Sequence, residues 1–191
     1  MGKFSSKPKE NTREGEEDDN ALGIQVPAEM NCIIQPTEGR GGLYLGSKDA
    51  ALNKKNLEKQ GISAVLTVCN EVNPKFDKKG FIHKVIPAKD TEHYQISTHF
   101  VEGINFIKEN IEKTNVLVHC YAGMSRSTSI VIAYLIQEKK MDLKTATKYV
   151  RERRKVIAGP NAGFYKQLKA FEANLISHQV KAPESSDAQT Y

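Results

Sequence analysis

Cysteine is scarce in this chain: Cys32, Cys69 and Cys120 are the three it holds. They are too few and too scattered for a disulfide framework, and no Cys-x-x-Cys or Cys/His pair has zinc spacing. A reducing compartment and no structural metal are the expectation. Long hydrophobic runs are missing as well. No stretch reaches the roughly 18 apolar residues that a membrane span requires, and no apolar block near the start reads as a secretory signal. A cytoplasmic protein is therefore expected. Neither a GxGxxG nor a GxxxxGK[ST] nucleotide loop occurs, and no internal repeat, so no cofactor is implied.

What remains is a chain of 191 residues, 39% apolar, enough for one ordinary domain with tails. Net charge is +5, unevenly spread. Residues 1–20 hold Lys3, Lys7, Lys9 and Arg13 against Glu10, Glu14, Glu16, Glu17, Asp18 and Asp19, so this segment carries −2 and the rest +7. A basic body suits an anionic ligand such as a phosphate group, a nucleic acid or an acidic membrane surface, without choosing among them.

Residues 1–28 are polar and aperiodic and read as a disordered tail. From "MNCII" and "GGLYLGS" the apolar density rises, with Gly39, Gly41 and Gly42 marking a turn between two short strands. "SKDAALNKKNLEKQGI" reads as one helix, capped by Ser47 and stopped by Gly61. "ISAVLTVCN" and "FIHKVIPA" read as strands, 97–113 as a helix, "NVLVHC" as a strand, and about 126–139, 142–154 and 161–177 as helices. This alternation predicts an α/β domain: a central, mostly parallel sheet with helices on both faces. Residues 29–178 form the domain in this reading, and 179–191 a polar tail. Ligands of such folds bind at the carboxyl ends of strands, where Cys120 falls.

Between Cys120 and Arg126 lie Tyr121, Ala122, Gly123, Met124 and Ser125. A strand-loop-helix turn of this kind turns successive N–H groups inward, and the helix N-terminus adds partial positive charge, so the loop is expected to hold a phosphate. Gly123 allows backbone conformations that a side chain forbids, and Arg126 can fork two donors onto two phosphate oxygens. A thiol in such a setting is a nucleophile beneath a bound phosphate. On these residues, "HCYAGMSRSTS" resembles the His-Cys-x5-Arg-Ser motif of the cysteine-based protein tyrosine phosphatases, and of their dual-specificity branch in particular. "GLYLGS", "ISAVLTV", "IPAKDT" and "GPNAGFYKQLKAFE" resemble dual-specificity segments in the same order, over about residues 30–178.

The resemblance implies a phosphatase P-loop with Cys120 as nucleophile, Arg126 as the grip on the phosphate, and Ser127 as the hydroxyl that supports the departing thiolate. It implies His119 and Asn161 as braces of the loop. Asp90 in "IPAKDTEHYQI" is the implied general acid, with Glu92 and His93 as nearby alternatives. A shallow pocket would admit both phosphotyrosine and phosphoserine or phosphothreonine. Where phosphoinositide phosphatases of the superfamily tend to carry loop lysines, this chain has Tyr121 and Met124, which favours phosphorylated proteins over lipid, RNA 5′-end or glucan substrates and over nucleic acid as a partner. A weakly active phosphopeptide-binding protein is the rival from another class.

Three further features carry two readings each. Arg153 and Arg154, clustered with Arg151 and Lys155, form either a second anion subsite or a solvated helix end. Cys69, closing a neighbouring strand, is either a redox partner that captures oxidised Cys120 or a buried core thiol. "MGKFSSK" matches the N-myristoylation pattern on Gly2, whose single acyl chain would give reversible membrane association, or is an ordinary start.

Overall fold

The structure, a computed structural model, describes residues 30–76, 80–154 and 159–180. Five strands form one sheet: β1 Met30–Ile34, β2 Leu43–Gly46, β3 Ile62–Val68, β4 Ile82–Ile86 and β5 Asn115–His119. Their spatial order is β1-β2-β5-β3-β4; β1 runs antiparallel to β2 and the other pairings are parallel. Successive side chains of a strand face opposite sides, and here both sides are apolar. On β3 and β5, Ala64, Leu66, Val68, Val116 and Val118 enter the main core, while Val65 and Leu117 enter a smaller one on the reverse face.

The smaller core is closed by α1 Lys48–Leu52 and α2 Lys54–Lys59. One continuous helix is expected there from the sequence. Asn53 breaks it: its backbone leaves the helical region and its side chain accepts a hydrogen bond from Asn56 N, capping the second piece. The opposite face carries α3 Phe100–Ile111, α4 Arg126–Lys139, α5 Leu143–Arg153 and α6 Ala162–Val180. A 3-10 turn, Ile96–His99, precedes α3, which thus starts later than predicted. The last helix runs to Val180, beyond the predicted end near 177.

Helix α4 is central, with every residue from Arg126 to Ile136 buried. It is approached closely by α3, because a Cβ on Gly103 would stand 2.6 Å from Ile130. Arg126, the first residue of α4, donates to Glu71 beyond β3 and to Ala88 O beyond β4, which sets the helix N-terminus at the carboxyl ends of the parallel strands. The sheet therefore delivers Gly46, Cys69, Ala88 and Cys120 to the same end of the domain.

Candidate active site

Cys120 follows β5 and is 1% exposed. Its Sγ accepts two hydrogen bonds, from Gly123 N and from Ser127 Oγ, each 3.2 Å. Two donors thus converge on the sulfur, one from the loop and one from the first turn of α4. Gly123 has φ +68°, and a Cβ there would stand 2.3 Å from Gly46 O, so left-handed backbone and close approach both call for glycine. The loop is tied down from outside through its carbonyls: Tyr121 O accepts from Lys48 N and Met124 O from Gly159 N, each at 2.9 Å. Gly123 O accepts from Arg154 Nε at 2.9 Å. With those carbonyls engaged from outside, the loop is held in the strand-loop-helix form in which backbone N–H groups can line an anion nest.

Arg126 is 3% exposed. Its Nη1 is anchored, donating to both oxygens of Glu71 (2.6 and 2.8 Å) and to Ala88 O (3.0 Å). Its Nε is buried without a hydrogen-bond partner; the nearest carboxylate oxygen, Asp90 Oδ2, lies 3.5 Å away. One edge of the guanidinium is held and the other keeps an unused donor, as a phosphate oxygen requires. Burial works against both charges of the Glu71–Arg126 pair. Their mutual attraction wins: the Glu71 carboxyl is held below its ordinary range and the Arg126 guanidinium above its own. Sequence reasoning missed Glu71. The available signal was an acid directly beyond β3, at the end of the sheet where ligands collect.

Asp90 lies just beyond β4, with 35% of its side chain exposed. Its Oδ1 accepts from Ser125 Oγ (2.7 Å) and from Asn161 Nδ2 (2.9 Å). Asn161 N also donates to Ser125 Oγ, at 3.2 Å, and Asn161 Oδ1 caps α6 by accepting from Phe164 N at 2.9 Å. One asparagine thus ties the Asp90 loop, the Cys120 loop and α6 together. The same junction explains Gly163, where a Cβ would overlap Glu92 O. Glu92 and His93 have exposed side chains.

His119 is fully buried, and its hydrogen bonds fix its tautomer. Nδ1 lies 3.1 Å from Cys120 O, which can only accept, so Nδ1 carries the proton. Nε2 of the neutral ring must then accept from Thr67 Oγ1 at 2.7 Å, and Thr67 in turn accepts from His83 Nε2 at 2.9 Å. Burial depresses the His119 imidazole to about 4. It is neutral at physiological pH and acts on the loop as a fixed dipole. Cys69, also buried, ends the neighbouring strand. Burial pushes its thiol up, and it lies within electrostatic reach of Arg126, Cys120 and Glu71.

Arg153 and Arg154 part company. The exposed Arg153 stacks its guanidinium 3.4 Å from the centroid of the Tyr149 ring and donates to Tyr149 O. Arg154 is 2% exposed and turned inward, donating to Gly123 O, to Asn31 Oδ1 at 2.8 Å and, at 3.4 Å, to Ala122 O. Its place on an exposed second anion subsite is corrected: the side chain braces the back of the loop. The helical phase carried the signal, since Arg154 continues the buried stripe Leu143, Ala146, Thr147, Val150. Lys155, Gly2, the predicted tail 1–28 and residues 181–191 of the predicted tail 179–191 lie outside the described residues, while residues 179 and 180 of that tail belong to α6.

The family model for the dual specificity phosphatase, catalytic domain, matches residues 43–174. Dual specificity protein phosphatase 1 of Arabidopsis thaliana is 40% identical over 135 residues, covering 70% of this chain and 67% of that protein. Human dual specificity protein phosphatase 4 is 34% identical over 170 residues, which are 84% of this chain but 43% of the relative. Among solved structures, the human tyrosine phosphatase-like serine/threonine/tyrosine-interacting protein superposes with a TM-score of 0.68 at 33% identity, covering 77% of this chain and 97% of that one. The chain belongs to the dual-specificity phosphatase family of the cysteine-based protein tyrosine phosphatases, hydrolases of phosphorylated proteins. Among the described residues no helix is long and apolar enough to cross a membrane.

Proposed function

We propose that this chain hydrolyses phosphotyrosine and phosphoserine or phosphothreonine in proteins through a phosphocysteine intermediate, with Cys120, Arg126, Asp90 and Ser127 as its catalytic residues. The observation that carries this is the Sγ of Cys120 held by Gly123 N and Ser127 Oγ in the same loop that ends at Arg126, whose Nε donor is unused. The thiolate attacks phosphorus while the P–O bond to the substrate breaks, and protonated Asp90 gives its proton to the leaving oxygen. Arg126 and the loop N–H groups of Tyr121 to Ser125 hold the equatorial oxygens, whose charge they stabilise in the transition state. Water then attacks the phosphocysteine, Asp90 takes back a proton, and the S–P electron pair returns to sulfur, where Ser127 Oγ donates to it.

His119 and Asn161 act as braces, the first through the Cys120 carbonyl and the second through Asp90 and Ser125. The same reading takes residues 29–178 as the catalytic domain, places the protein in the cytoplasm in a signalling role, and assigns acylation of Gly2 as a reversible membrane attachment. Cys69 is the candidate partner that would displace water from a sulfenic acid on Cys120 to form a disulfide, and a Cys69→Ser protein should then recover less fully from peroxide. The central test is hydrolysis of a small aryl phosphate, with chelator and reductant present. Cys120→Ser should abolish turnover, and Asp90→Asn should remove the limb of the pH profile that reports the acid. An unchanged rate in Cys120→Ser would refute the mechanism.

A further inference from the structure

One exposed face of α5 carries Lys144, Lys148 and Arg151, spaced four and three residues apart and so stacked along one side of the helix. With Thr147, Glu152 and Tyr165 of α6 they line a groove of about 650 Å³. Among the described residues lining the groove are three cations and one carboxylate, Glu152, which lies 3.8 Å from Lys148 between two well-exposed side chains. The catalytic machinery described above uses none of these residues. The groove nevertheless abuts that machinery. A Cβ on Gly159 would stand 3.0 Å from Arg151 Nη2, and Gly159 N donates to Met124 O of the catalytic loop. One residue separates the cationic face from the phosphate-binding loop.

We infer that this groove docks an acidic stretch of the protein substrate, beside the phosphorylated residue held in the loop. The inference rests on the reading of the chain as a protein phosphatase. Charge complementarity names the occupant. Lys144 and Arg151 are about 10 Å apart along the helix at 1.5 Å per residue, which an extended peptide covers in about three residues. Three or four Asp or Glu residues within a run of about five would therefore meet all three cations, and the apolar part of the groove beside Tyr165 would accept the stems of their neighbours. Docking of this kind selects substrates through KM and leaves the chemical step alone.

The test uses the full chain and phosphotyrosine peptides in matched pairs, one with an Asp/Glu run beside the phosphoresidue and one with Asn/Gln in its place. Turnover is measured for the wild type, and binding by fluorescence anisotropy on the Cys120→Ser protein. The acidic peptide should be preferred by about tenfold at 50 mM salt, through KM and Kd, and by less than about twofold at 0.5 M salt. The K144E/K148E protein should lose the preference while its turnover of a small aryl phosphate stays within about twofold of wild type. Equal treatment of the paired peptides by wild type, or a preference that survives in K144E/K148E, would overturn the inference. So would a preference that emerges only after residues 1–20 are deleted, which would assign the groove to the chain's own acidic run. A wild type inactive on aryl phosphate whose Cys120→Ser form still binds the acidic peptide selectively would sink the phosphatase reading and leave the groove standing.

Discussion

Arg154 offers the sharpest test of how the loop is held. The guanidinium is buried and spans 31 residues of sequence to reach Gly123 O at 2.9 Å, with Asn31 Oδ1 at 2.8 Å on its other arm. Burial pushes the group below its ordinary range, and negative charge on Cys120 favours the cation against that. Arg154→Met keeps most of the stem volume and removes every donor. Gly123 O then faces apolar surroundings without a partner, at a cost of about 1–3 kcal/mol, and Asn31, half-buried, turns to water for less. Relief from burying a cation offsets part of this, leaving a net loss of about 2 kcal/mol, or roughly 4–8 °C in Tm for a chain of this size. The loop, released at its back, should misplace the N–H groups that meet phosphate, and kcat on a small aryl phosphate should fall by about tenfold or more. Arg154→Lys keeps the charge but reaches one acceptor at a time, so it should restore less than half of either loss. Thermal unfolding and aryl phosphate kinetics read both quantities. If Arg154→Met kept wild-type Tm and kcat and lost activity only on doubly phosphorylated peptides, the brace would be refuted and a second anion subsite restored.

Glu71→Ala leaves Nη1 of Arg126 held by Ala88 O alone; phosphate affinity measured by inhibition should weaken and kcat should drop about tenfold, with Glu71→Gln recovering part because its amide oxygen still accepts one bond. Gly123→Ala forces a Cβ onto a left-handed residue, costing about 1–2 kcal/mol before the overlap with Gly46 O is counted, and a loop shift that should lower kcat by about 100-fold. Urea unfolding should show the loss of stability, and a fully active Gly123→Ala protein would contradict the loop geometry. His119 stays neutral down to about 4 in the folded chain but protonates near 6.5 when unfolded. The unfolded state therefore binds more protons between these values, and stability contributed by the neutral ring is lost as pH falls from about 6.5 towards 4, by up to about 3 kcal/mol. Comparing wild type with His119→Gln across that window cancels most of the carboxylate contribution, and the stability gap should narrow on acidification; a constant gap would refute the burial argument.

The loop from Cys120 to Ser127 is legible in the sequence because its parts are local. Cys120, Gly123, Arg126 and Ser127 sit within eight residues, and the chemistry of a strand-loop-helix turn constrains all four at once. The alternation of strands and helices is legible for the same reason, through short-range periodicity, and the single helix expected between Ser47 and Gly61 differs from the structure at one residue, Asn53, whose side chain competes with the helix for a backbone donor. Glu71 and the Thr67–His83 pair escaped because their meaning depends on which strands become neighbours. Glu71 is 55 residues from Arg126, and Thr67 is 52 from His119. No local pattern ties them until β3 lies between β4 and β5.

That strand order also separates Asp90 from Cys120. Asp90 leaves β4 and Cys120 leaves β5, and the two strands are not neighbours; β3 separates them. The gap between the strand ends is bridged by side chains: Arg126 crosses it to reach Ala88 O and Glu71, and Ser125 crosses it to reach Asp90. A phosphate in the loop would take the unused Nε of Arg126 and so draw charge away from Asp90 Oδ2, which now lies 3.5 Å from that donor. In the proposed mechanism, phosphate binding and the loosening of Asp90 from Arg126 are then one step. The donors that remain on Asp90, from Ser125 and Asn161, both address Oδ1, which leaves Oδ2 as the oxygen that would carry the proton in the proposed mechanism.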